Sequence, residues 1–223
     1  STDWNIHYKT VSPSTIKISQ KSFLDLIEKG HLYHKESPAL WCNECLTSIA
    51  QAELETKTIK TTFNYINFTT VEDNETFTIA TTRPELLPAI VCVFVNPNDE
   101  KHKHLIGKTA HIPVINVEVP IMGDEKVESD KGTGVVMCCT FGDQTDIEWW
   151  KKYNLPLKYI FTENGRIIDS VPIYGGLKIK EARKKIIEDL QNGGYVVKIE
   201  DLEHEVQVHE RCSKEVEYSV MKQ

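Results

Sequence analysis

From Thr61 to Cys139 the apolar positions fall into short runs rich in Val, Ile, Thr and Phe, broken by Asn, Asp, Gly and Pro. Runs of that kind suit pleated, half-buried segments, and the breakers suit the turns between them. The pattern predicts six strands, at Thr61 to Phe68, Thr76 to Thr82, Ala89 to Val95, Thr109 to Pro113, Val117 to Ile121 and Val135 to Cys139. Strands set so closely predict a barrel or a strongly curled sheet. Helical spacing appears at Ser19 to Lys29, where Phe23, Leu24 and Ile27 share a face and Gly30 follows as a cap, and again at Asp143 to Lys152 and Lys180 to Asn192. Between Tyr33 and Glu55 two turn signals predict short strands around a tight loop, and strands resume at Tyr195 to Ile199 and Val216 to Ser219. The expected class is mainly β with flanking helices.

The longest apolar run, Ala89 to Val95, is too short for a membrane-spanning helix, which needs roughly 18 to 20 residues. The opening Ser-Thr-Asp-Trp has neither a basic nor an apolar signal region, so a cytoplasmic location is expected. With 33 acidic against 26 basic side chains and a net charge of -7, the chain does not look like a protein that coats a nucleic-acid backbone. Gripping a single nucleotide end remains compatible with that charge. The cysteines are too sparse for a disulfide scaffold, so metal binding or burial is expected instead.

Cys42-Asn43-Glu44-Cys45 is a knuckle that can aim two thiolates at one tetrahedral zinc. His209-Glu210-Arg211-Cys212 repeats the two-residue gap with an imidazole in place of one thiol. Together they would make a Cys3His set, and everything between Cys45 and His209 would be an insertion with its ends close together. The same residues also fit a stray Cys beside an unrelated His. Cys92, Cys138 and Cys139 are expected to be small buried hydrophobes, and His102, His104 and His111 solvated or satisfied.

Two glycine signals carry no nucleotide site. A phosphate loop ending at Gly107-Lys108-Thr109 would need glycine where His102 stands, and Gly132-Thr133-Gly134 would need a third glycine at Met137. Thr81-Thr82-Arg83-Pro84-Glu85 ends a strand where a helix could begin, which gathers hydroxyls, a guanidinium and free N–H groups; it also fits a Thr cap with a surface Arg. Phe141-Gly142-Asp143-Gln144-Thr145-Asp146 starts a helix with two acids three apart. They suit an ammonium group, and equally the N-terminal end of the helix dipole.

Taken together, the segments Trp41 to Glu55, Ala80 to Glu85, Gly132 to Val136 with Phe141 to Asp146, and His209 to Cys212 resemble, in order, the editing insertion of the valyl-tRNA synthetases, class I enzymes. Arg83-Pro84-Glu85 and the knuckle ahead of Thr47 and Gln51-Ala52-Glu53 favour the valyl type. Leu87-Pro88-Ala89 is closer to the isoleucyl enzymes, which stay the alternative, along with an inactive zinc-ribbon binding module.

The resemblance implies a curled six-strand β-barrel, residues 57–202, inserted in a small zinc-ribbon-like stem formed by 1–56 and 203–223. It implies hydrolysis of threonine from mischarged tRNA(Val), because a hydrophobic pocket cannot strongly reject an isostere that merely gains a hydroxyl. Asp146 would anchor the substrate ammonium and Asp143 would accept a hydrogen bond from the threonine hydroxyl. Thr81, Thr82, Arg83 and Glu85 would bind substrate, the first three facing the terminal adenosine and the ester. A structural zinc would sit on Cys42, Cys45, His209 and Cys212, with no cofactor in the hydrolytic site. The partners would be the 3′ aminoacylated end of tRNA(Val) and the rest of the synthetase, with the chain itself a monomer. Without His-x-Gly-His or Lys-Met-Ser-Lys-Ser, ATP binding and amino-acid activation are not expected. Met137, Cys139, Leu86 and Ala89-Ile90 depart from the bacterial-type pattern, and the Met137 to Gly142 run resembles the archaeal-type branch.

Overall fold

The computed structural model describes residues 3–222, in two units: residues up to Ser37 together with the end of the chain from Met221, and the much larger Pro38–Val220. In the smaller unit the main element is helix α1, Pro13–Glu28. It starts ahead of the expected Ser19 because Ser12 caps it: the Thr15 N–H donates to Ser12 Oγ at 3.3 Å, the Ser12 N–H donates to Thr15 Oγ1 at 2.9 Å, and Pro13 supplies a helical φ. No helix among the described residues is long and apolar enough to cross a membrane.

In the larger unit the six expected strands are all present, as β3 (Leu54–Thr70), β4 (Thr76–Thr81), β5 (Ile90–Val95), β6 (Thr109–Ile112), β7 (Val117–Gly123) and β8 (Val135–Cys139). A further strand, β9 (Val196–His209), joins them, and the sheet runs β4-β3-β6-β7-β5-β8 with β9 paired to β3. Its two end strands, β4 and β8, come into contact, which curls the sheet around one core. Strand β5 is buried at every position, as its unbroken apolar run foretells: Ile90, Val93 and Val95 face the inside of the curl, while Val91, Cys92 and Phe94 pack under helix α2 (Gln144–Tyr153). Helix α3 (Ile179–Asn192) buries Ala182, Ile186 and Leu190 against the main core, one helical stripe.

Strands β3 and β9 reach well beyond the expected Thr61 to Phe68 and Tyr195 to Ile199. They pair antiparallel from Leu54↔His209 to Ile66↔Val196 and form a two-stranded ribbon outside the curl. Over Leu54 to Lys60 no position of β3 is fully buried, so this outer half of the ribbon has no core face and leaves no alternating apolar signature. At the ribbon's outer end a small sheet runs β10-β1-β2, built from β1 (Glu36–Cys42), β2 (Thr47–Ser48) and β10 (Glu217–Lys222).

Candidate functional site

Cys42 closes β1, and in the turn after it the Cys45 N–H donates to Cys42 Sγ at 3.3 Å. His209 ends β9, and the turn that follows carries Cys212. The four side chains meet: one ligand atom from each lies within 4.8 Å of all the others. Cys42 Sγ is 3.5 Å from Cys212 Sγ, which is 3.6 Å from His209 Nδ1. Zinc bonds of about 2.0 to 2.3 Å at tetrahedral angles place neighbouring ligand atoms roughly 3.5 to 3.8 Å apart, so this donor set fits one metal ion. Burial acts to raise the Cys42 thiol, but hydrogen bonds from the Cys45 backbone and from His209 outweigh it and bring the thiol down to about 7. Cys45 is pushed up to about 11 by desolvation and by its hydrogen bonds with the other two thiols.

A cavity of about 810 Å³ opens between the curled sheet, the ribbon and β10. Thr81, Thr82 and Arg83 line it from the end of β4, Met137 and Cys139 from β8, and Asp143 and Asp146 from the start of α2. Glu85 does not line it. That residue lies beneath, fully buried, in the 3-10 turn Pro84–Ala89.

Asp143 is the N-cap of α2, its Oδ1 accepting from the Asp146 N–H at 2.9 Å, and it is exposed to the cavity. Asp146 is buried. Its Oδ2 accepts from the Gly142 N–H at 3.0 Å and, less closely, from the Cys139 N–H at 3.4 Å. Burial, reinforced by the Asp143 charge, pushes the Asp146 carboxyl up to about 8. Two acids one turn apart therefore differ sharply: one is solvated and caps the helix, the other is dry and has one oxygen spoken for.

Arg83 is held from three sides. Its Nη2 donates to both Glu217 carboxylate oxygens at 2.8 and 2.7 Å, its Nε to Glu85 Oε1 at 3.0 Å, and its Nη1 to the Gly142 carbonyl at 3.3 Å. Glu85 also takes Arg183 of α3 at 2.8 and 2.7 Å. Two buried acids and two arginines thus balance, and burial, which acts to raise Glu85, is outweighed by Arg83 and Arg183, leaving its carboxyl low. Glu217, Arg183, Tyr218 and His204 escaped the sequence reading although all four line the cavity. The available signals were local and weak: an acid at an inward position of β10, and a histidine alternating with Leu202 and Val206 along β9.

His102, His104, Cys92, Cys138 and Cys139 lie where expected. His102 Nδ1 pairs with Asp99 at 2.7 Å and His104 Nε2 with Glu75 at 2.6 Å, while the three cysteines are buried.

The sequence profile of the class I tRNA synthetases (I, L, M and V) matches residues 1–221, and the chain belongs to that family. Within it the chain is 48% identical over 230 residues to the valine–tRNA ligase of Haloarcula marismortui, and 51% identical over 218 residues to that of Rickettsia conorii. The matches cover 100% and 97% of this chain but only 26% and 27% of those two proteins, so it spans about a quarter of their length. Among solved structures, the Agrobacterium radiobacter LeuRS–tRNA–LeuAMS ternary complex aligns with a TM-score of 0.48 at 17% identity, over 88% of this chain and 33% of that one.

Proposed function

We propose that the cavity hydrolyses the ester of threonine mischarged onto tRNA(Val), as the editing part of a valine–tRNA ligase. The observation that carries this reading is the Asp143–Asp146 pair at one wall of the cavity. Asp146, its carboxyl raised by burial to about 8, retains its proton near neutrality until a cation meets it. A substrate ammonium docking there displaces the proton and leaves a desolvated ion pair, worth roughly 1.5 to 3 kcal/mol. Asp143 has Oδ1 committed to the helix N-terminus and Oδ2 left to accept from the threonine hydroxyl, which valine lacks. Thr81, Thr82 and Arg83 edge the part of the cavity that would receive the terminal adenosine, and His204 Nδ1 is buried there without a protein partner. Attack is by water, positioned between these groups. Glu85 acts at a distance, by fixing Arg83.

Cys42, Cys45, His209 and Cys212 would hold a structural zinc. Its contribution is to tie the turn after β1 to the turn after β9, remote from the ester chemistry. The partners are the 3′ aminoacylated end of tRNA(Val) and the rest of the synthetase. The test is deacylation of threonyl- and valyl-tRNA(Val) and valyl-tRNA(Ile), side by side. Selective loss of the threonyl ester supports the proposal, loss of valine from tRNA(Ile) moves it to the isoleucyl type, and no turnover in the full-length enzyme overturns it.

A further inference from the structure

Glu217 stands on β10, far in sequence from both aspartates, and has no part in the hydrolysis proposed above. Both of its oxygens nonetheless engage one nitrogen of Arg83, while Glu85 takes another. Two anions fix the plane of the guanidinium, and the remaining nitrogen then points at the Gly142 carbonyl, 3.3 Å away. Gly142 is the residue whose N–H donates to Asp146 Oδ2. A side chain there would displace the carboxylate, because a Cβ would fall 2.3 Å from that same oxygen. Glycine keeps the Asp146 carboxylate in place but is also the residue whose backbone is freest to swing, so the N–H stays aimed best where a second contact pins that backbone.

We infer that Glu217 is a positioning residue for Asp146, acting through Arg83 and the backbone of Gly142. The stem strand thus helps to set the geometry of the acid across the cavity. The inference takes from the hydrolytic reading only what Asp146 does; the linkage itself is read without any tRNA.

The charged and titratable groups around Asp146 are Asp143 on its own turn, Cys138 and Cys139 on β8, and Arg83 with Glu85 and Glu217 behind Gly142. Removing the Glu217 charge by itself would lower the Asp146 pKa, since one anion fewer faces it, whereas losing the Gly142 N–H from the ionised carboxylate raises it. The two effects have opposite signs, and that separates positioning from plain electrostatics. In Glu217→Gln and in Arg83→Lys the Gly142 amide should exchange with solvent at least about tenfold faster, and the Asp146 carboxyl, followed by carbon NMR, should titrate higher by roughly half a unit or more. Tyr159→Phe cuts the hydrogen bond from the Tyr159 hydroxyl to Ser219 Oγ, 3.1 Å, on the same strand, and should change neither. Unchanged protection of Gly142 in a folded Glu217→Gln, or a fall in the Asp146 pKa, overturns the inference. If that variant does not fold, Arg83→Lys decides on the same two readings. A protein that deacylates nothing but shows both effects refutes the hydrolytic reading and leaves the linkage standing.

Discussion

The Gly142 N–H donates to Asp146 Oδ2 at 3.0 Å, and a methyl group on Gly142 would meet that oxygen at 2.3 Å and Leu86 Cδ1 at 3.2 Å. The hydrogen bond and the absence of a side chain are thus one requirement. Gly142→Ala should displace the Asp146 carboxylate and cost at least about tenfold in deacylation, with a stability loss of about 1 to 3 kcal/mol from overpacking. Activity within twofold of wild type in the folded variant would show that the carboxylate does not need its place.

Asp146 should set opposing demands on stability and activity. Its carboxyl lies near 3.8 when unfolded and, raised by burial and then by Asp143, at about 8 when folded. The folded state therefore holds a proton that the unfolded chain releases, so the stability it contributes is complete below about pH 4 and is lost as pH rises to about 8. Asp146→Asn should remove that loss and melt higher than wild type at pH 8, with a much smaller gap at pH 5, while deacylation falls ten- to a hundredfold or more. Parallel melting curves for the two proteins across pH 5 to 8 would contradict the burial argument.

Asp143 should govern selectivity. Asp143→Ala should reduce threonyl-ester hydrolysis while narrowing the difference between threonyl and valyl esters, whereas Asp146→Ala should lose both alike because every amino acid carries the ammonium. The lost N-cap costs Asp143→Ala about 0.5 to 2 kcal/mol in addition, so rates must be compared per folded molecule. Equal losses on both esters would remove Asp143 from the recognition of the hydroxyl.

Removing Glu85 should cost more stability than any surface pair. Glu85→Ala leaves Arg83 and Arg183 facing each other in a buried setting with Glu217 as the nearest anion, and breaking such a buried pair typically costs about 3 to 5 kcal/mol. Lys60→Ala, whose ion pair with Glu203 is open to solvent, should change the denaturation midpoint little. Urea titration of both variants checks the contrast.

For the metal, purified protein should carry about one equivalent of zinc, and chelation should speed amide exchange around Cys42 to Thr47 and His209 to Ser213 before it touches the buried strand β5. A metal-free protein whose melting temperature ignores added zinc would leave the four side chains as a chance cluster.

The strands that carry a core face were legible in the sequence because burial writes itself into alternation, as in β4, or, for β5 and β8, into an unbroken apolar run. The outer half of the ribbon was not, since neither face of Leu54 to Lys60 meets a core and it is held chiefly by backbone pairing between β3 and β9. At the cavity, the Thr81 to Arg83 and Asp143 to Asp146 segments could be found as local clusters of chemistry. Glu217 and Arg183 could not, because their roles depend on contacts 134 and 98 residues away along the chain. Cys139 also reads more simply in three dimensions: it is buried, with its thiol donating to the Leu86 carbonyl at 3.4 Å, so it packs the wall rather than offering a polar group to the cavity.

The ribbon also favours an order of assembly. Its inner pair, Ile66↔Val196, is favoured once the chain between them has closed into the curled sheet, because joining ends that far apart as free coil costs loop entropy that the sheet contacts offset. From there the strands can zip outward, rung by rung, to Leu54↔His209, and only the final rungs bring His209 and Cys212 to Cys42 and Cys45. Cys42, Cys45, His209 and Cys212 therefore meet at the far end of the ribbon, and an ion held there would act as a clasp on the two turns that the strands deliver to each other.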